Sequence, residues 1–398
     1  MRIVRLANFV MPRSGGLRTA LRALGEGYVA AGHESILIVP GEAHSDVSDA
    51  QGRVITLPGP VVPGTGGYRV LIHRRRLARL LDRLQPDRLE VSDRFTLRWT
   101  GRWARDRGIP AVMVSHESLA GLLSFAGPAG AACADLLNAR SHRAYDQVLC
   151  TTAWAAAEFD RIGAGNLVRV PLGVDLDLFH PSRSSAAVRA RFATPDQVLL
   201  VHCGRLSTEK RPERSVEALI ALRARGVDAV LVVAGDGPLR PRLQEQAAGH
   251  AVHFTEFVAD RTAVATLLAT ADVVLAPGPI ETFGLAALEA LACGTPVVVS
   301  AESALPEVVG DAGAAVHSDF ADGVQQVLAL PSSERRLVAR DRAMRFSWPV
   351  AVAGFLRVHG AAPSLPAGAV AVHGAAASLP AGVVAVHGAA SSLPAGVP

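Results

Sequence analysis

Residues 277–300, PGPIETFGLAALEALACGTPVVVS, hold the segment on which the reading of this chain turns. A loop, an alanine- and leucine-rich run, Gly294 and the apolar stretch TPVVVS follow one another, the pattern of a helix returning to a buried strand. Leu285, Leu288 and Leu291 supply the apolar faces of that helix. Glu281 and Glu289 do not fit the pattern. A carboxylate on a helix buried on two sides costs several kcal/mol unless something polar partners it. The two glutamates therefore ask for a polar, hydroxyl-rich ligand.

The same alternation of apolar run and helix-like segment extends in both directions. RIVRLANF, ESILIVP, RVITLP, DRLEVS, PAVMVSH, DQVLCTT and NLVRVPLG form one set of strand candidates, and QVLLVHCG, AVLVVAGDG, AVHFTEFV, ADVVLAPG and TPVVVS form a second. Strands spaced by helices imply parallel α/β architecture, here two Rossmann-like domains. The expected boundaries are 1–175 and 176–357, with PLGVDLDLFHP (171–181) as the hinge. From 358 to 398 three copies of a 14-residue unit, VHGAAPSLPAGAVA and its variants, recur without charge. Each unit offers little to bury, so the tail is expected to be disordered and to play no catalytic part.

Of the 398 residues, 49% are hydrophobic and 19% charged, enough apolar material for large cores. No apolar run reaches the roughly 18–20 residues of a membrane span. The N-terminus reads as a first strand rather than a secretion signal. Four scattered cysteines without a C-x-x-C pair argue against disulfide or metal frameworks and for a reducing cytoplasm. Residues 1–175 carry 22 arginines against 16 acids, whereas the remainder is slightly acidic. Arginine abundance follows coding bias, so the pI of 9.2 does not by itself point to a partner, and nucleic acid is not expected. Lys210 is the only lysine, which suggests a position that wants a compact ammonium.

Motif by motif, the chemistry gathers at strand ends. PRSGGLRT (12–19) follows the first strand, and Gly15 and Gly16 allow close backbone approach to an anion at a helix N-terminus. It is not a dinucleotide fingerprint. HCGRLSTEKRPERSV (202–216) places Arg205 and Lys210 in a strand-to-helix loop, suited to a diphosphate leaving group. Arg211 and Arg214 read as solvated charges, GDGP (235–238) as a turn and GEGYVAAG (25–32) as helix packing. His116 ends a strand at the edge where open α/β sheets bind ligands. Asp175 and Asp177 imitate a metal-binding D-x-D but lie in the linker, where a hinge or cap role is the better reading. LIHRRRLARLLDRL (71–84) combines a leucine face with an arginine face that can meet anionic lipid.

Together, ETFGLAALEALACGTPVV, SGGLRT, GRLSTEK, PLGVDLDLF and FSW resemble the retaining GT-B glycosyltransferases of family 4, over roughly residues 1–357. ANFVMPRSGGLRTA, GYRVLIHR, LEVSDRFTLR and VSHESL are most similar to the actinobacterial GDP-mannose-dependent α-mannosyltransferases, nearest to those that extend phosphatidylinositol dimannoside to the trimannoside. The resemblance implies that Glu281 contacts donor-sugar hydroxyls and that Glu289 holds the ribose. It implies that N–H groups around Phe283, Gly284 and Leu285 meet the sugar and diphosphate. Arg205 and Lys210 would neutralise the departing phosphate, Gly16 would close over it, and His116 would touch the sugar. Retention would follow front-face attack, with the leaving phosphate taking the acceptor proton and no dedicated base. No cofactor and no metal are expected, and a nucleotide-sugar donor, a glycolipid acceptor and an anionic membrane surface are. The protein is then expected in the cytoplasm, peripheral at the inner membrane face. Pro349 after Trp348 and the repeat tail depart from the family pattern. A UDP-sugar transferase with a soluble acceptor, and a non-catalytic binding protein on the same fold, stay open. A dehydrogenase is disfavoured by the missing fingerprint.

Overall fold

The computed structural model describes residues 1–10, 15–63, 67–124 and 127–361. Residues 12–14 of the Gly-rich loop and 362–398 of the repeats lie outside the described residues. Buried apolar runs build two sheets. The first holds β1 (Arg2–Ala7), β2 (Glu34–Gly41), β3 (Ser45–Asp49), β4 (Gly52–Pro58), β5 (Arg88–Ser92), β6 (Ala111–Ser115), β7 (Gln147–Cys150) and β8 (Leu167–Arg169). Their order is β3-β4-β2-β1-β5-β6-β7-β8, and every pairing except β3 with β4 is parallel. The second sheet holds β9 (Val198–Cys203), β10 (Ala229–Ala234), β11 (Val252–Thr255), β12 (Val273–Ala276), β13 (Val297–Ser300) and β14 (Gly313–Val316). It runs β11-β10-β9-β12-β13-β14, parallel throughout. β10 is buried along its whole length, as a strand covered by helices on both faces must be. Both units are Rossmann-like.

In each sheet the strand order reverses once, between β1 and β5 and between β9 and β12. Loops leaving the carboxyl ends at such a switch point diverge and leave a crevice. The two crevices face each other across one cleft.

Two adjacent segments link the units. In the linker, Val174 N–H donates to Phe346 O at 2.9 Å, beside a bridge between Val174 and Ser347. Gly173 allows this approach, since a Cβ there would sit 2.4 Å from Trp348 N. Asp175 Oδ1 accepts from the N–H groups of Asp177 and Leu178, so the D-x-D carboxylate caps a turn. After the second crossing the helix Trp348–Val358 packs on the helix Gly16–Ala30 of the first unit, with Pro349 in its first turn. A Cβ at Gly27 would come within 2.3 Å of Val352, which gives the GEGY stretch its packing role.

One expectation is corrected here. The tail does not begin at 358, because His359 is 2% exposed and its Nε2 lies 3.0 Å from Glu90 Oε2. Arg88 Nε also donates to His359 O at 2.6 Å. The first repeat's opening residues thus plug a polar socket formed by Arg5, Tyr28 and Glu90, all fully buried. Among the described residues no helix is long and apolar enough to cross a membrane.

Candidate active site

β9 ends at Cys203, and the chain turns through Gly204 and Arg205 into a short 3₁₀ turn, Thr208–Lys210. The loop after β12 carries Glu281. A Cβ on Gly278 would lie 3.3 Å from Glu209 O and Lys210 Cα, so the two loops touch. Their side chains pair: Lys210 Nζ donates to Glu281 Oε1. Burial works to lower the Lys210 pKa, but the Glu281 carboxylate and its hydrogen bond outweigh it and hold the ammonium above its usual value. The lone lysine and the first glutamate of the opening segment form one ion pair at the switch point.

Gly284, with φ +79°, caps the helix Leu285–Ala292 without a side-chain cap. The first-turn N–H groups of a helix lack acceptors of their own and attract anions. Glycine suits the position, since φ is positive and a Cβ would have to displace Leu305 Cδ2, 2.1 Å away. Phe283 is buried edge-on against Phe346, with ring centroids 6.0 Å apart. Glu289 is one turn deeper and 6% exposed. Burial raises its pKa against the pull of Arg261, whose Nη2 donates to Oε1 at 2.9 Å. The opening question thus has a structural answer: each glutamate has one cationic partner.

From the first unit, Gly16 faces this helix, with Leu285 Cδ1 3.5 Å from where its Cβ would be. Gly15, at φ +113°, is in a conformation that side chains rarely adopt. His116 follows β6, its Nε2 3.1 Å from Ser92 Oγ at the end of β5. Burial, aided by Arg94 and opposed by Glu90, pushes its pKa down to about 4, so the imidazole is neutral at pH 7. Its backbone carbonyl accepts from Thr282 Oγ1 at 2.8 Å, which ties β6 directly to the loop of Glu281. Thr152 Oγ1 donates to Thr282 O at 2.9 Å, and Glu307 caps the helix Ala153–Asp160 by accepting from Ala153 N–H. His116, Arg205, Lys210, Glu281, Gly16 and the Phe283–Leu285 turn therefore line one cleft, with Glu289 on its helical wall.

Several neighbours of this site were not anticipated from sequence. Tyr68 reaches across the cleft, with the Arg205 guanidinium 5.0 Å from its ring centroid. The signal was available: it is one of three tyrosines, set in the Gly-rich stretch GTGGYRV. Glu158 and Arg94, both buried, organise the loop after His116. Glu158 accepts from Ser118 Oγ, from the N–H groups of Leu119 and Ala120, and from Arg94 Nη1. Arg94 also donates to Ser115 Oγ and Glu117 O. Burial, with help from Asp93, raises the Glu117 carboxyl to about 6 despite Arg94. No spacing rule links residues so far apart in the chain.

Two facing Rossmann-like domains with opposed switch points and a cation–carboxylate site between them define a GT-B glycosyltransferase. The solved structure of sucrose-phosphate synthase from Thermosynechococcus elongatus superposes with a TM-score of 0.71 at 22% identity, covering 90% of this chain and 98% of that one. The family model described as "Glycosyltransferase Family 4" matches residues 14–178, and that described as "Glycosyl transferases group 1" matches 186–344. A Mycobacterium tuberculosis (strain H37Ra) protein named GDP-mannose-dependent alpha-(1-6)-phosphatidylinositol dimannoside mannosyltransferase is 54% identical over 91% of this chain and 96% of its own length. A GDP-mannose-dependent alpha-mannosyltransferase of Mycolicibacterium smegmatis is 28% identical over 88% of this chain and 94% of its own. The chain belongs to glycosyltransferase family 4.

Proposed function

We propose that this enzyme transfers mannose from GDP-mannose to phosphatidylinositol dimannoside, with retention, giving the trimannoside at the cytoplasmic face of the membrane. The observation that carries this reading is the 54% identity, over 91% of the chain, to the relative named for that donor and acceptor. The geometry supplies a route. Lys210 and Glu281 neutralise each other. On donor binding the ammonium turns to the diphosphate and the freed carboxylate accepts from mannose hydroxyls. Arg205 joins Lys210 against the charge that grows on the leaving phosphate, a preorganised stabilisation that water does not provide. Glu289 accepts from the ribose hydroxyls beside Arg261. Neutral His116 offers a hydrogen bond to the sugar without adding positive charge at the anomeric carbon. The leaving phosphate takes the acceptor proton on the face it vacates. With two fixed cations on the diphosphate, no metal ion is required, and EDTA should leave turnover intact.

The acceptor reaches the cleft from a membrane surface. Helix Arg74–Leu84 buries Leu77, Leu80, Leu81 and Leu84 and leaves Arg74, Arg75, Arg76, Arg79 and Arg83 outward. Each such residue near an anionic surface adds about 1 kcal/mol of attraction. Turnover with GDP-mannose and UDP-glucose, on phosphatidylinositol dimannoside or on soluble mannosides, tests the reading. Product only from GDP-mannose and the lipid is expected. Equal use of a soluble mannoside, or of UDP-glucose, would replace it with a soluble-acceptor or UDP-sugar transferase.

A further inference from the structure

The first unit carries an open groove of about 360 Å³ lined by Ile72, Arg74, Phe95, Thr96, Arg98 and Leu137. Its floor is apolar although it faces water: Ile72 is 47% and Phe95 36% exposed. The exposure of Phe95 is not the slack of a loop. Asp93 Oδ1 accepts from Phe95 N–H at 3.0 Å and from Leu97 N–H at 2.8 Å, which fixes the backbone that carries the ring. Asn8, at the end of β1, braces both walls. Its Nδ2 donates to Asp93 Oδ2 at 3.0 Å and Thr96 Oγ1 at 2.7 Å, and its Oδ1 accepts from Leu71 N–H at 2.8 Å. The groove is therefore built before anything occupies it.

Its rim is cationic and uncompensated. The nearby acids Asp82 and Asp106 pair with Arg107 and Arg102. Among the described residues no carboxylate pairs with Arg74 or Arg98. Two planar guanidiniums that flank an apolar floor complement a ligand with a phosphodiester and hydrocarbon in one molecule. A free phosphate would leave Ile72, Phe95 and Leu137 wet, and an uncharged hydrocarbon would leave the arginines unanswered.

We propose that this groove binds one anionic phospholipid, its phosphodiester between Arg74 and Arg98 and the first carbons of an acyl chain over Ile72, Phe95 and Leu137. The inference deepens the glycolipid-acceptor reading and rests on it for biological meaning; Asn8 and Asp93, which brace the groove, directly follow the last residues of β1 and β5. A lipid seated there keeps the rest of its chains in the bilayer. Unlike general attraction to the arginine helix, this is a saturable site for one molecule.

Calorimetric titration of the full chain with dioctanoyl phosphatidylinositol, below its micelle concentration, tests the site. One equivalent is expected to bind, with Phe95→Asp and Arg98→Gln each weakening it at least 10-fold. Glycerophosphoinositol and inorganic phosphate are expected not to saturate it. Unchanged melting temperature and GDP-induced stabilisation show that both variants fold. No binding, equal binding in both variants, or equal binding of the deacylated headgroup would overturn the proposal. So would a protein dimer that Phe95→Asp dissociates, which would give the groove to a second copy. If the lipid saturates the groove but phosphatidylinositol dimannoside is not mannosylated, the functional reading fails and the groove stands. Mannosylation that both variants leave unaltered sinks the groove alone.

Discussion

At the scale of single residues, the cleft relies on pairs that hold charges ready for a ligand. Lys210→Ala and Arg205→Ala are each expected to cut turnover at least about 100-fold, the cost of removing a preorganised charge stabiliser, with folding retained. Near-wild-type turnover in both variants would remove them from the reaction. A second prediction concerns His202, 3% exposed on β9, whose Nδ1 lies 2.9 Å from Ser215 Oγ. Burial, with Lys210 adding to it, lowers its pKa from 6.5 to about 4. Between those values the unfolded chain binds a proton that the folded chain refuses, so stability falls as pH falls through that window. The loss from this group is about 1.5 kcal/mol between pH 6.5 and pH 5. Denaturant melts of wild type and His202→Gln at both pH values check it, because the variant should lose less on acidification by about that amount. Glu281, Arg205 and Lys210 were legible as residue types at strand ends, and Glu289 as a carboxylate one turn into the following helix. Their pairing with one another, and with Arg261 and Tyr68, was not, since a salt bridge depends on which loops the fold brings together.

The helix Leu285–Ala292 shows at element scale how a site and a fold share one backbone choice. Gly284→Ala must adopt a positive φ, costing roughly 1 kcal/mol, and must displace Leu305, which adds roughly 1–3 kcal/mol. The variant is expected to melt at a visibly lower temperature, and its folded fraction should bind GDP more weakly because the helix N-terminus has shifted. Wild-type values for both would show that this turn is neither tight nor in contact with the phosphates. Elements with long apolar runs were readable from the sequence, including β9, β10, β12 and β13. β3 was missed because SDVSD is polar and fully exposed, paired only along one edge. β14 was missed because GAAV is too small and short to show a β pattern. Arg94 and Glu158 lie on different elements, so no periodicity joins them.

For the molecule as a whole, the docking of His359 is the sharpest test. A chain truncated after Ala361 is expected to keep its melting temperature and turnover. One truncated after Arg357 loses His359 and leaves Glu90 buried beside Arg5 and Tyr28 without that partner. Taking a hydrogen-bond partner from a buried carboxylate costs about 1–3 kcal/mol, so the shorter chain should melt markedly lower. Equal melting temperatures would show that the docked histidine is dispensable. The sequence marked where repetition starts but not that the first unit's opening residues dock, because the first VHG is spelled like the others. The helix Trp348–Val358, packed on the helix Gly16–Ala30, also sets a timetable for synthesis. The strands of the first sheet are translated well before the helix that covers its side and the histidine that fills its socket. Domains generally fold in order as they emerge. Here the amino-terminal unit waits, its polar socket open, until the codon for His359 has been read.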